Sequence, residues 1–309
     1  LDDIYRIVRS IDFSWAIDPE QSFAVRADRV GKHNFTSIDV ARETGRAIID
    51  SYLHSRRTRL RVDLENPDVE IGVYVRFNEV LIGINTTGES LHMRRYRVYN
   101  HPAALKTTIA ASMLYLGGYR GEPLLDPMCG GGTIPIEAAH IARRYPIYLF
   151  RDDYAFRRLR LYNRDLEYEI RSSIDREIGR DLYEIYCMDI SREHIAGAMR
   201  NAESAKVIDT IKFRVGDALR RDSYADFDPR LIVVNPPYGI RSWRIERLKE
   251  LYTRFLRVLR DLYSDVRLIL ITSAIEQLTR SVETVETEII HSRRVKHGGL
   301  TARVFVIRI

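Results

Sequence analysis

The apolar run Leu231 to Val234 ends in Asn235, Pro236, Pro237 and Tyr238. Two prolines fix φ and remove two amide donors, so the corner keeps its carbonyls turned outward instead of closing into a turn of its own. The Asn235 side chain adds another carbonyl, and Tyr238 adds a face on which a flat ring can stack. A stiff, uncharged pair of acceptors beside an aromatic surface suits a planar NH2 group carried on a ring. A proline-stiffened loop without chemistry is the plainer alternative, and the neighbouring strand ends argue against it.

The first of these is "LLDPMCGGGTIPIEAA", Leu124 to Ala139, where an apolar strand ends at Asp126 and Gly130, Gly131 and Gly132 lead into a helix beginning near Thr133. Backbone amides and a helix N-terminus then face whatever binds there. No Gly-Lys-Ser/Thr follows, which excludes a Walker-type phosphate loop. An acid for a ribose is expected on the next strand. Asp152 and Asp153 have the usual offset, but "IYCMDISREHIAGAM" forms the better strand-to-helix unit and points to Asp189, with Ser191 as N-cap. A further strand ends in "VGDAL", placing Asp217 and Ala218 at the same edge. Each acid alone could be a turn or cap residue; three at successive strand ends form a series.

The elements that must position these groups alternate. After an extended connector, "RRYRVYNHPAALK", a helix is expected with Pro102 in its first turn and Gly117 and Gly118 closing it. Strands are expected at Leu124–Leu125, Ile185–Met188, Ile211–Val215, Leu231–Val234, Val266–Thr272 and Ala302–Ile309. The helices between them are expected at Ile134–Arg144, Arg192–Ala205 and Ile245–Leu262. Apolar strands alternating with amphipathic helices mean a mainly parallel, doubly wound sheet, with ligands at the carboxyl ends of its strands. Arg143 to Tyr183, rich in Arg and Tyr, reads as an insertion after the first of these helices.

Before a boundary placed near residue 95, the pattern is a smaller α+β module. Strands are expected at Phe23–Ala27, Leu60–Leu64, Glu70–Phe77 and Val80–Asn85, with a helix from about Ser37 to Leu53. Its only chemical features are basic clusters, among them Arg26, Arg29, Lys32 and His33; Arg94, Arg95 and Arg97 follow in the connector. With six lysines and 43 arginines in 309 residues, the formal charge is +6. Arginine presents a planar fork to phosphate, so the balance favours a polyanionic partner. Cys129 and Cys187 are too few for a zinc cluster or a disulfide framework and fit a reducing cytoplasm. Cys129 reads as a packing residue and His101 as a cap. No apolar run approaches a membrane span. The chain starts at Leu1 within a helical pattern (Ile4, Ile7, Val8, Ile11), and further N-terminal sequence is the expectation.

The glycine loop with Asp126, then Asp189, Asp217 and "NPPYG", in this order, resembles the Rossmann-type S-adenosylmethionine-dependent methyltransferases of the amino-methylating subgroup. More closely, "FAVRADRVGKHNFTSIDVAR", "VDLENPDVEI", "GINTTGESLHMRRYRVYNHPAALKTTIAASML" and "DPMCGGGTIPIEAA" resemble the THUMP-domain RNA guanine-N2 methyltransferases. The wording of "DPMCGGGT" and "NPPYGIR" is most similar to the members that methylate guanosine 6 in the tRNA acceptor stem. Relatives acting on tRNA guanosine 10 usually carry Asp at the place of Asn235, and those acting on large-subunit rRNA have extra domains.

The resemblance implies a THUMP-type domain over residues 1–95, its ferredoxin-like N-terminal part missing, and a methyltransferase domain over 96–309. It further implies that Asp126, Gly130 to Gly132 and Thr133 hold the methionine end of S-adenosyl-L-methionine. Asp189 would take the ribose, and Asp217 and Ala218 the adenine. Asn235, Pro236, Pro237 and Tyr238 would receive the target guanine, with Asn235 also beside the cofactor. Arg26, Arg29, Lys32, His33, Arg94, Arg95, Arg97 and Arg241 would meet tRNA. No metal, membrane or obligate protein partner is implied, and a cytoplasmic monomer is the expectation. Methylation of adenine or of glutamine shares the "NPPY" signal, and an inactive RNA-binding module is the rival of another class. The THUMP-like first hundred residues and the intact loop and acids weigh against these.

Overall fold

The computed structural model of the chain describes residues 1–237 and 245–309. Tyr238 and Arg241 lie outside the described residues. The chain forms two units, Leu1–Leu91 with Asp152–Ser173, and His92–Arg151 with Ile174–Ile309.

In the first unit, α1 (Asp2–Arg9), β1 (Ser22–Val30), α2 (Ser37–Arg56), β2 (Arg61–Val62), β3 (Val69–Arg76) and β4 (Glu79–Ile84) follow one another. The sheet order is β2-β1-β3-β4, with β1 parallel to β2 and β3 and with β4 antiparallel to β3. Val69, Ile71, Val73 and Val75 alternate inward along β3, as a half-covered strand requires. Over them lies α2, which opens with a reciprocal cap between Thr36 and Asp39 and buries Val40, Ala47, Ile48 and Tyr52.

A single cut near residue 95 would leave 152–173 with the second unit. Instead Leu159 is buried in the first unit's core with Phe156 beside it, and the Phe156 amide donates to the Thr86 carbonyl at 2.9 Å. Phe156 and Leu159, from an Arg-rich insertion, pack it against the first unit. Helix α5 (Arg164–Asp175) follows, and its Glu167 receives Arg157 and Arg171. The Arg157 hydrogen bond, with the Tyr162 hydroxyl and the Arg171 charge behind it, holds the Glu167 carboxyl down to about 2 against the opposing effect of burial.

The second unit comprises α3 (Thr107–Leu116), β5 (Leu124–Asp126), α4 (Thr133–Ala142), β6 (Ile185–Asp189), α6 (Arg192–Ser204), β7 (Ile211–Val215) and β8 (Leu231–Val234). There follow α7 (Ile245–Leu262), β9 (Arg267–Thr272), α8 (Ile275–Val285), β10 (Glu288–His297) and β11 (Leu300–Arg308). The seven strands lie in the order β10-β11-β9-β8-β5-β6-β7, parallel from β9 to β7 and antiparallel at β11 and β10. One core, with Met113, Leu114, Ala138 and Ala198, covers one face of this sheet, and another, with Phe255, Leu259 and Leu278, covers the other. The strand order reverses between β5 and β8, which opens a crevice at their carboxyl ends.

Two elements here go beyond the sequence expectations, α8 and the edge strand β10. The α3 helix also starts later than expected. Pro102 lies in a separate turn, closed by the Ala103 amide on His101 Nδ1 at 3.1 Å, and Lys106 is the residue that precedes the helix.

Candidate active site

At the reversal point lies a cavity of about 810 Å³, a size that holds a small-molecule ligand. Asp126, Gly130, Gly131, Thr133, Asp189, Asp217, Ala218, Asn235, Pro236 and Pro237 all line it, so strand ends far apart in sequence meet on one wall. Gly132 does not. Its φ of +78° makes it the left-handed cap of α4, and a Cβ there would come within 3.0 Å of Ala198, so its glycine lets α4 and α6 approach.

The glycine loop is held from within. The Gly130 amide donates to Asp189 Oδ2 at 2.9 Å and the Ser191 amide to Asp189 Oδ1 at 2.9 Å, while His194 Nδ1 lies 3.3 Å from the same Oδ1. His101 closes the ring cluster, edge-on to His194 with centroids 4.3 Å apart. Burial first, and the neighbouring His194 second, hold the His101 ring below the ordinary histidine range. The expected helix-capping role of His101 is not what the structure gives, since Lys106 precedes α3 and His101 closes the turn before it; sequence reading passed over His194, which also lines the cavity.

It also missed Asn201, on the buried side of α6. Asn201 Oδ1 accepts from the Val98 and Tyr99 amides at 2.9 and 2.7 Å, and Nδ2 donates to the Tyr99 and Gly131 carbonyls at 3.0 and 2.9 Å. One amide thereby fastens the connector to the loop. Gly197 makes room for it, since a Cβ there would lie 2.3 Å from the Tyr99 ring.

Two of the three connector arginines expected to face RNA, Arg94 and Arg97, are bonded within the chain instead. Arg94 forms a buried two-bond pair with Glu137, which also accepts from Tyr96 at 2.8 Å, and Arg97 donates to the Leu105 carbonyl and to Thr133 Oγ1. A guanidinium needs a partner when the chain buries it, and α4 supplies one. Arg95 remains at the surface. In the first unit, Arg26 pairs with Glu70, and Arg29 donates to the Gly31 carbonyl and contacts His33, whose other ring nitrogen meets the Phe77 carbonyl. Lys32 is exposed.

Burial pushes the Asp126 carboxyl well above the usual carboxylate range, the nearby Asp189 adds to the rise, and the Met128 amide opposes it. Burial also raises the thiols of Cys129 and Cys187, so both are packing thiols and not thiolate nucleophiles. Asp217 accepts from the Leu219 amide at 2.9 Å. Across the cavity mouth His297 and Leu300 contribute from the β10–β11 turn, and burial, then the Lys106 ammonium, hold the His297 ring low. Among the described residues no group of three His, Cys, Asp or Glu could hold a metal, and no helix is long and apolar enough to cross a membrane.

Asn235 differs from all of these. Its amide NH2 turns to the Ala103 carbonyl at a long 3.5 Å, and its Oδ1 is buried with no hydrogen-bond partner among the described residues. A carbonyl can only accept, so the NH2 must take that contact and the oxygen is left over. An orphaned buried acceptor is rare and costly unless a ligand completes it.

Comparison with known proteins agrees with this architecture. Residues 94–303 match the family described as RMKL-like, methyltransferase domain, and residues 1–85 match the THUMP domain. The tRNA (guanine(6)-N2)-methyltransferase of Methanocaldococcus jannaschii is 41% identical over 99% of this chain and 81% of its own length. The enzyme of the same name from Archaeoglobus fulgidus is 41% identical over 100% of this chain and 75% of its own. A crystal structure of a possible methylase from Clostridium difficile 630 superposes with a TM-score of 0.82 at 29% identity, over 99% of this chain and 79% of that one. The chain belongs to the RMKL-like methyltransferases that carry a THUMP domain.

Proposed function

We propose that the chain transfers a methyl group from S-adenosyl-L-methionine to the exocyclic N2 of guanosine 6 in the acceptor stem of tRNA. The observation that carries this reading is the partnerless Asn235 Oδ1 at the wall of the cavity, backed by the 41% identity to the two tRNA (guanine(6)-N2)-methyltransferases.

The residues present fit the cofactor. Asp189 Oδ2 takes one amide and has capacity for a further donor, which suits a ribose hydroxyl, while Oδ1 takes the Ser191 amide and faces His194 Nδ1. Asp217, with one oxygen bonded to Leu219, would offer the other to the adenine amine, and Ala218, which also lines the cavity, would border the ring. Asp126 and the loop at Gly130 and Gly131 border the end left for the methionine ammonium and carboxylate. Gly132 and Thr133 support that loop, since the Thr133 hydroxyl takes Arg97. When bound, S-adenosyl-L-methionine supplies an electrophilic methyl on a sulfonium.

The chain's own part is orientation. Asn235 Oδ1 and the Pro236 carbonyl accept the two N2 hydrogens of a guanine turned out of the stem, and Tyr238, outside the described residues, is the surface on which it stacks. Fixing both hydrogens would leave the nitrogen lone pair clear of the acceptors and stabilise the positive charge that grows on nitrogen as the N–C bond forms and the methyl–sulfur bond breaks; one N2 proton is then released to solvent, giving N2-methylguanosine. In the first unit Arg26, Arg29, Lys32 and His33 contact the RNA, and Arg95 and Arg241 do so from the second.

Labelled S-adenosyl-L-methionine incubated with an unmodified tRNA transcript, followed by nucleoside digestion, tests this. N2-methylguanosine should form, and should vanish when guanosine 6 of the transcript is replaced. Label on another nucleoside, or none on a transcript that the protein binds, would sink the reading.

A further inference from the structure

The β10–β11 hairpin segregates its charge. Toward its base Glu288 pairs with Arg308 at 2.8 Å, and toward its turn the acids stop. Arg293, Arg294 and Lys296 on β10 are exposed, and neither they nor Arg303 on β11 has a carboxylate partner among the described residues. Several exposed arginines elsewhere in the same unit do have one, among them Arg260 with Glu286, Arg267 with Glu122 and Arg280 with Glu276, while others such as Arg192 and Arg200 have none among the described residues.

Moreover, the antiparallel register sets Arg294 directly opposite Arg303. Like charges facing each other across two strands oppose the pairing, so folding alone gives no reason for them. A cationic edge strand does deter unwanted strand addition. That role requires β10 only and does not explain a second arginine placed against it on the inner strand.

The turn of this hairpin reaches the cavity, where His297 and Leu300 form part of the wall. Arg303 is level with Thr272 at the end of β9, and Val234 of β8 is level with Leu270. Pro236, two residues beyond Val234, therefore stands at the height of Arg303, two strands away. With strands about 4.8 Å apart, the Arg303 backbone lies roughly 10 Å, and that of Arg294 roughly 15 Å, from the line of β8. An occupant of these arginines must be anionic at several points and must continue from whatever group enters the cavity. A phosphodiester chain has both properties.

We propose that the turn-proximal half of the β10–β11 hairpin, through Arg294 and Arg303 with Arg293 and Lys296, binds the phosphate backbone of the substrate RNA beside the nucleotide presented to the cavity. This rests on the RNA reading above and assigns that substrate a second grip, separate from the first unit.

The test is equilibrium binding of a labelled tRNA transcript to the full chain, with S-adenosylhomocysteine present, over a series of salt concentrations. Arg294→Gln/Arg303→Gln should raise the tRNA Kd about 10- to 100-fold at low salt and reduce the slope of log affinity against log salt by about 2, one per phosphate contact. Affinity for S-adenosylhomocysteine should not change, and the thermal midpoint should hold or rise as the repulsion is removed. Arg308→Gln, at the paired end, should bind tRNA like wild type.

Unchanged tRNA affinity and slope in the double variant would overturn the proposal, as would an equal loss in Arg308→Gln. Loss of an acidic protein partner with tRNA binding intact would reassign the hairpin and overturn it equally. The two readings fail separately. Hairpin-dependent tRNA binding without N2-methylguanosine sinks the methylation reading alone, and N2-methylguanosine with unaltered binding in the double variant sinks the hairpin alone.

Discussion

The two sides of the cavity are built on opposite terms. On the side of the glycine loop the buried polar groups are paired within the chain: Gly130 with Asp189, Asn201 with three backbone neighbours, and Arg94 with Glu137. At the Asn235 corner a buried oxygen has no partner among the described residues, and its own amide makes one long contact. A wall that must present backbone to a cofactor is best rigid before the cofactor arrives, because ordering it on binding would cost affinity. A group that must meet a reacting amine has to stay open until the amine is there. The contrast separates what fixes the site from what acts in it, and each substitution below falls on one side of that line.

The largest effect is expected from Arg94→Met. It leaves the Glu137 carboxylate buried with only Tyr96, and uncoupling a buried pair costs about 3–5 kcal/mol. Urea unfolding should show that loss, and Arg94→Met/Glu137→Met should recover most of it, because both charges are then gone. The folded single variant should bind tRNA with wild-type affinity. A weakened tRNA complex at unchanged stability would return Arg94 to the RNA interface. Next in size, on the open side, Asn235→Ala should lower kcat by roughly 10²–10³, about 2.7–4 kcal/mol of transition-state stabilisation. Stability should not fall, since the oxygen it removes has no partner to lose. Asn235→Asp keeps an acceptor and should lose less. Equal stability losses at Arg94 and Asn235 would erase the distinction between the two sides.

A smaller change should sharpen it. In Gly197→Ala the added methyl would stand 2.3 Å from the Tyr99 ring, which must then move. Overpacking of this kind costs about 1–3 kcal/mol, offset by up to about 1 kcal/mol from the better helix propensity of alanine. Tyr99 shares Asn201 with Gly131, so cofactor affinity should fall together with stability, whereas kcat at saturating cofactor should hold.

The strand ends that line the cavity were the more legible from sequence. Asp126, Asp189, Asp217 and Asn235 each end an apolar strand, and a polar residue at the end of such a run is a local signal. The closing side depends on pairs far apart in the chain. Glu137 is 43 residues from Arg94, so the connector's arginines looked like an RNA patch. Asn201 had one cue, a polar side chain on the same stripe of α6 as Ala198 and Ala202. Strand β10, "EIIHSRRVKH", lacks the apolar alternation of a half-covered strand because it forms the sheet's edge. The destination of 152–173 was hidden for a similar reason, as its apolar residues lie scattered among arginines and tyrosines with little periodicity.

Asp126 lies where the two sides meet, buried like a structural residue and yet placed at the cavity wall. Because its folded pKa is raised by burial, the native chain keeps a proton there that the unfolded chain has released, so stability falls as pH rises from the usual carboxylate range through the raised value. Asn does not titrate. Asp126→Asn should therefore have a flatter stability profile across that window and a higher thermal midpoint above it. The cofactor's ammonium would draw the carboxyl into its charged form, so wild-type affinity should climb over the same window, whereas the Asn variant should bind more weakly at its upper end and show no climb. Calorimetric titrations with S-adenosylhomocysteine at several pH values decide the point, since it carries the same ammonium. A gain in stability without a loss of affinity would make Asp126 a buried loop support, on the closed side of the cavity, and would move the ammonium's partner elsewhere.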